Sequence, residues 1–399
     1  MVLGGLDADR EVDPYSHCIN VFMLDKEGNR IDRRNPQDIF TPLYNHQVPP
    51  GAGQVAHYEF VVPDDVTAPI TAEVKLQYRK FDKQYMDFVT KNAKPGDKPI
   101  KNHTLGEKYF NDLPITTLAT DSVTFPIEGI AAELAEQKRD IPPWQRWNDY
   151  GIGLFLEGKA ELRQAIEAFE EVERLGRYDG PLNLARVLHR EGRLDEAVEA
   201  LNRAAQHGRE AGSEAPPRWT LNWLIGLVNR EQGRLKEAEA SLRSVLNDRV
   251  PERNFDFSGD YEVINLLGLT LFDLAKGVRV AGDPERVRLL RDAAETFEKT
   301  LKIDSENVTA HHNLHQIYEE LGDNAKAATH NAEHLKVKPD DNAQGRAVGL
   351  ARAKYPAANF AAEALVIYPL QRAGAPGLST VDANPPKQPK QPTTSSSGN

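Results

Sequence analysis

Apolar and polar positions follow two different rhythms along this chain. From residue 17 to about 128 the apolar positions come in short, partly alternating runs. These are HCINVFML (17–24), QVAHYEFVV (54–62), ITAEVKLQYRKF (70–81) and DSVTFPI (121–127). Alternation among β-branched and aromatic residues predicts strands. Turn clusters separate them: DKEGNR (25–30), VPPGAG (48–53) and VVPDDVTAP (61–69), with Gly28-Asn29 supplying a permissive backbone. From residue 147 to 340 the spacing changes to that of amphipathic helices.

A single phrase recurs through this helical region: a glycine, an alanine five residues on, and a large apolar residue four further. The clearest copies hold Gly192, Ala197 and Leu201, and Gly233, Ala238 and Leu242. LGDNAKAATHN and RDAAETFEKTL are partial copies. Glycine ends one helix because it takes positive φ without strain. The alanine lets two helices approach closely, and the residue one turn later fills the space between them. A small residue also lies seven before each turn glycine: Gly151, Ala185 and Gly226. It marks a second close contact. One hairpin cannot bury its apolar face alone, so neighbouring hairpins must stack.

This pattern resembles the tetratricopeptide repeat, whose period is about 34 residues. Five units can be counted. The first holds Gly151, Gly158, Ala165 and Phe169; the second Ala185, Gly192, Ala197 and Leu201; the third Gly226, Gly233, Ala238 and Leu242. The fourth holds Gly268, Ala293 and Phe297, and the fifth Leu314, Gly322 and Ala327. The excess length between the second and third units falls in HGREAGSEAPPR, which reads as a loop. That of the fourth unit falls in KGVRVAGDPERVR, which reads as an insertion.

The fold expected is thus α+β and multidomain. Residues 1–128 form an immunoglobulin-like β-sandwich, incomplete because four or five strands are too few for such a length. Residues 129–146 are a linker, 147–340 an all-α repeat superhelix, 341–371 a capping helix region, and 372–399 a disordered tail by composition. The lysine- and glycine-rich stretch within 82–120 reads as a solvated loop, or one that meets a partner domain.

The chain has 399 residues, with 40% hydrophobic and 27% charged. A net charge of −11 argues against nucleic acid as a partner. No run approaches a membrane span. The single cysteine, Cys18, allows no internal disulfide and reads as a small buried hydrophobe. Asp64-Asp65 reads as a solvated turn. There is no HExxH pattern, phosphate-binding glycine loop or nucleophile elbow, so the sequence argues against an enzyme.

The N-terminal phrases carry a second resemblance. GGLDADREVDP, LDKEGNRIDRRNPQDIF, PPGAGQVAHYEFVVP, KLQYRKFDKQYM and NDLPITTLATDSV resemble the C-terminal region of bacterial multihaem c-type cytochromes, which joins a β domain to tetratricopeptide repeats. In that family haem is held upstream by Cys-x-x-Cys-His motifs. With one cysteine this chain has no such motif, so no cofactor is expected in it. Haem enters only through an upstream domain or a partner in trans. The resemblance implies a periplasmic location; the absence of a signal peptide in residues 1–15 leaves the cytoplasm open.

Two groups of residues are candidates for binding. His311 and His315 share a helix face, and His330 and His334 repeat that spacing on the next helix. Such pairs bind a metal or approach a haem edge, or else serve as packing residues. The first helix of each hairpin should form the inner face of the array. There it would present Asn148, Arg186, His189, Arg190, Trp223, Arg230, Asn265, His312 and Gln316. Arginines beside a tryptophan in an acidic protein suit an acidic peptide or a chain terminus. Two functions follow: a protein-binding scaffold beside a periplasmic redox system, or the structural C-terminal region of an electron-transferring cytochrome.

Overall fold

The structure, a computed structural model, describes residues 5–6, 11–91, 103–105, 109–111, 114–129, 140–207, 209 and 214–372. These fall into two compact units. One comprises residues 1–50, 55–140 and 341–399, and the other 51–54 and 141–340.

In the first unit the strands are β1 (Val21–Leu24), β2 (Thr41–Asn45), β3 (His57–Glu59), β4 (Ile70–Tyr78), β5 (His103–Leu105), β6 (Tyr109–Asn111) and β7 (Thr116–Phe125), with helix α1 (Lys83–Lys91) after β4. Among the described residues these strands pair only in twos: β1 with β2, β4 with β7, and β5 with β6, all antiparallel. No closed sandwich forms among them. The stretch 82–120, expected as a loop, contains α1 and the β5–β6 pair. Asp82 starts α1, its Oδ1 accepting from the Tyr85 amide at 2.8 Å. The last strand of the region begins at Thr116, five residues before the run DSVTFPI suggests, because TTLAT supplies further β-branched positions.

The apolar side of β1–β2 is covered by helix rather than by a second sheet. Phe22, Leu24 and Leu43 form one core with Ala351 and Ala358. The Asp25 carboxylate accepts from the amides of Glu27 (3.0 Å) and Asn29 (2.7 Å), which folds the turn after β1. Gly28 adopts φ +70°, and a Cβ there would lie 2.5 Å from the Ala347 carbonyl oxygen. Lys354 Nζ donates to the Glu27 carbonyl (2.7 Å) and Asn29 Oδ1 (2.8 Å). The C-terminal segment expected as a cap of the repeats therefore folds within this first unit.

The second unit consists of five helical hairpins. They are α2 (Pro143–Glu157) with α3 (Leu162–Arg174), α4 (Asp179–Glu191) with α5 (Leu194–His207), α6 (Arg218–Glu231) with α7 (Leu235–Asn247), α8 (Tyr261–Gly277) with α9 (Pro284–Ile303), and α10 (Val308–Glu320) with α11 (Asn324–Val337). Between α7 and α8 lies the small pair β8 (Arg249–Val250) and β9 (Phe255–Asp256). The first unit ends with α12 (Asp341–Lys354), α13 (Pro356–Ala361) and β10 (Ile367–Pro369); β10 lies parallel to β3.

The repeated phrase does the packing work its residue sizes imply. Gly158, Gly192, Gly233 and Gly322 all turn the chain at positive φ. Ala165, Ala197, Ala238, Ala293 and Ala327 are buried. A Cβ on Gly151 would lie 2.7 Å from the ring of Phe169, and one on Gly226 3.0 Å from Leu242. The fourth hairpin departs from expectation. Its surplus residues are shared between helices of 17 and 20 residues and the connection 278–283 between them. Asp283 caps α9, accepting from the Glu285 amide at 2.8 Å, and Pro284 occupies the first turn. The cap inside GDPER starts α9 within the insertion. Five of the twelve residues of HGREAGSEAPPR, 208 and 210–213, and residues 373–399 of the expected tail lie outside the described residues, as does most of the linker, 130–139.

Candidate functional site

Helix α4 is closed by a reversed turn in which the Gly192 amide donates to the His189 carbonyl (3.0 Å) and that of Arg193 to Leu188 (2.9 Å). Ala185 and Leu188 of α4 are buried. This fixes the helix rotation and leaves Arg186, His189 and Arg190, spaced three and four apart, toward the neighbouring α6. On α6, Gly226 meets Leu242 of its own hairpin partner. Trp223, Leu227 and Glu231 repeat every four residues on a different side.

These residues enclose a cleft of about 870 Å³, with Phe155 of α2 as a further wall. Arg186, His189, Arg190 and Trp223 from the expected set thus come together. Their charges are not equivalent. Arg190 donates to the Phe155 carbonyl at 2.8 Å, its guanidinium 5.1 Å from that ring's centre. His189 Nε2 stands 3.0 Å from a Glu231 carboxylate oxygen. Arg186 has no hydrogen bond or ion pair among the described residues, and its Nε is buried without a partner. Burial pushes its guanidinium below the ordinary arginine value, with no carboxylate to offset the loss of water.

The other expected contact residues are used inside the fold. Asn148 Oδ1 accepts from Asn183 Nδ2 at 2.8 Å, tying α2 to α4. Asn265 is buried; it donates to Asn307 Oδ1 (3.1 Å) and accepts from Thr300 Oγ1 (2.9 Å). Arg230 pairs with Asp273 of α8 at 2.6 Å. His312 is exposed beside His334, their ring centres 5.0 Å apart. Gln316 is half-buried on α10, away from the cleft-lining helices.

The four histidines considered as ligands do not meet as one set. His311 and His330 pair through their Nδ1 atoms at 3.0 Å, and His311 Nε2 faces the Ser305 carbonyl at 3.1 Å. His315 Nδ1 faces the Ala327 carbonyl (3.2 Å) and His334 Nδ1 that of Val308 (3.3 Å). Each ring thus serves a packing or backbone contact. Cys18 is half-buried, and burial raises its thiol above the ordinary value. Asp64 and Asp65 are exposed.

Phe155, Leu227 and Glu231 were not expected at the site. A signal for them existed. Phe155 precedes Gly158 by three residues, and an acidic residue stands next to or just before each turn glycine: Glu157, Glu191 and Glu231. Once the first helices are laid side by side, those positions fall beside the inward-facing arginines.

The tetratricopeptide repeat model matches residues 179–249, covering α4 to α7. Among solved structures, the chain is similar to MamA (residues 41 to the end) from Desulfovibrio magneticus RS-1, with 16% identity and a TM-score of 0.38 over 49% of this chain and 94% of that one. It is also similar to YrrB, described as a tetratricopeptide repeat protein with an unusual peptide-binding site, with 17% identity and a TM-score of 0.37 over 52% and 90%. No curated protein matches the chain. Residues 179–249, helices α4 to α7, thus carry tetratricopeptide repeats.

Proposed function

We propose that this protein is an interaction scaffold that docks a protein or peptide partner on the first helices of its repeat array. The cleft between α4 and α6 carries this reading. It combines an apolar wall from Trp223 and Leu227 with a half-buried cation that has no hydrogen bond or ion pair among the described residues. Desolvating such a charge is costly unless something pairs it, and a partner supplies that pair. The test is a photo-crosslinking residue in place of Glu191 at the cleft, compared with one in place of Lys299 on α9. A partner trapped in the expressing cells from position 191 and not from 299 is expected. Equal trapping from both, or none from 191, would overturn the reading.

The setting is a separate proposal. The resemblance of the N-terminal phrases to multihaem cytochromes supports a scaffold in the periplasm beside a haem-bearing domain, either upstream in the same polypeptide or in trans. The native protein, isolated from a periplasmic fraction, should then show haem absorbance in its own band or in a co-purifying one. Its recovery solely from the cytosol, without haem, would end that reading.

A further inference from the structure

The geometry of this cleft points to what it recognises, given that the scaffold reading holds: we infer that Arg186 receives the side-chain carboxylate of an Asp or Glu lying next to a large apolar residue, within an internal segment of the partner, while that apolar neighbour packs on Trp223 and Leu227.

Four observations carry this. Of the cations expected on this face, Arg230 pairs with the Asp273 carboxylate, Arg190 holds the Phe155 carbonyl, and His189 Nε2 stands beside a Glu231 oxygen without a hydrogen bond. Arg186 alone of the four has no hydrogen bond or ion pair among the described residues, and unlike the exposed Arg190 it is partly buried, so it is the cation of the cleft with the most to gain from an anion. A guanidinium pairs with a carboxylate through two parallel hydrogen bonds, and partial burial strengthens that pairing by excluding water. Next, the cleft's other charges are mixed, with Glu191 and Glu231 set against Arg190, so a single carboxylate suits it better than a run of several. Third, Trp223, Leu227 and Phe155 supply apolar wall beside the cation, which suits a large apolar neighbour more than a polar one.

The fourth concerns where the carboxylate comes from. A main-chain terminus is distinguished from a side chain by several donors that grip it at once. None of the cleft's lining side chains is an amide: Asn148 and Asn265 lie elsewhere, in bonds to Asn183 and to Asn307 and Thr300. No amide side chain lines the cleft beside Arg186 to hold the second oxygen of a terminus, and a side chain from a segment passing through the cleft meets the same need.

The test is selection of a random peptide library, displayed on phage with the peptide's C-terminus fused, against the full chain and against Arg186→Gln. Peptides enriched on the wild type should carry Asp or Glu next to Phe, Leu or Trp. Synthetic copies should bind Arg186→Gln roughly 10- to 100-fold more weakly, the scale of one charge-assisted pair. Binding should be unchanged when the synthetic C-terminus is amidated, and should weaken as salt rises. Circular dichroism of Arg186→Gln confirms folding, and Arg230→Gln is the control that should bind normally. Enriched peptides without a carboxylate, or equal affinity for Arg186→Gln, would overturn the assignment and leave the scaffold standing. Loss of binding on amidation would overturn the side-chain source. No enrichment at all would overturn the assignment, and only with no crosslinking from position 191 would the scaffold reading fall too.

Discussion

Gly268 of α8 lies directly against the ring of Phe297 of α9: a Cβ on the glycine would stand 2.8 Å from Phe297 Cζ. Phe297 is fully buried. The small residue of one helix and the large residue of the other form a single contact, repeated as Gly151 with Phe169 and Gly226 with Leu242. Because all three ring carbons nearest the added Cβ lie within 2.9 Å, Gly268→Ala should lower the stability of the repeat unit by about 1–3 kcal/mol. Gly345→Ala, in α12 with nothing within 4 Å, should instead stabilise by roughly 0.5–1 kcal/mol. Urea denaturation of each variant checks the opposite signs.

Asn265 should prove structural rather than a contact for a partner. Replacing it by Ala leaves Thr300 Oγ1 and the Asn307 side chain without their buried partner. The expected loss is roughly 2 kcal/mol or more, with peptide binding unchanged at temperatures where the variant is folded. A variant that keeps its melting temperature but loses binding would reverse the assignment.

Arg186 and Arg230 should respond in opposite directions. Arg186 is half-buried and has no ion pair among the described residues, so Arg186→Gln should leave the melting temperature of the unbound protein unchanged or raise it. Arg230→Gln breaks the pair with Asp273, whose side chains are 26% and 31% exposed, and should cost under about 1 kcal/mol. Differential scanning calorimetry of the two variants measures both.

The His311–His330 pair should make the last hairpin sensitive to acid. His311 Nε2 donates to the Ser305 carbonyl, which in the neutral ring leaves Nδ1 to accept from His330. Burial, then the neighbouring His311, holds His330 below its ordinary value of 6.5; Glu298 opposes this, while Lys326 and His315 add to it. The folded state therefore binds fewer protons than the unfolded chain. Stability is full above pH 6.5 and is lost as the pH falls through the lower folded value. The urea midpoint should drop between about pH 7.5 and about pH 5.5, and His330→Phe should flatten that drop. A variant with the same acid slope would assign it to other groups.

The sequence by itself determined the helical hairpins. Their signals are local and act within a single hairpin: the glycines turn the chain at positive φ, the alanines are buried, and Phe169, Leu242 and Phe297 fill the close contacts. The arginines, histidine and tryptophan of the cleft were legible for the same reason, since helix spacing alone puts Arg186, His189 and Arg190 on one side. Tertiary structure decided which of them stays unpaired. Asp273 neutralises Arg230 from 43 residues away, and Asn307 takes Asn265 from 42. No local pattern reveals such partners. It also decided what covers β1 and β2. Strand alternation signals only that one face is apolar, and a sheet or a helix satisfies it equally. Here the cover is α12, placed by Gly28 and held by a bond from the Arg30 amide to the Tyr355 hydroxyl, 325 residues away in sequence.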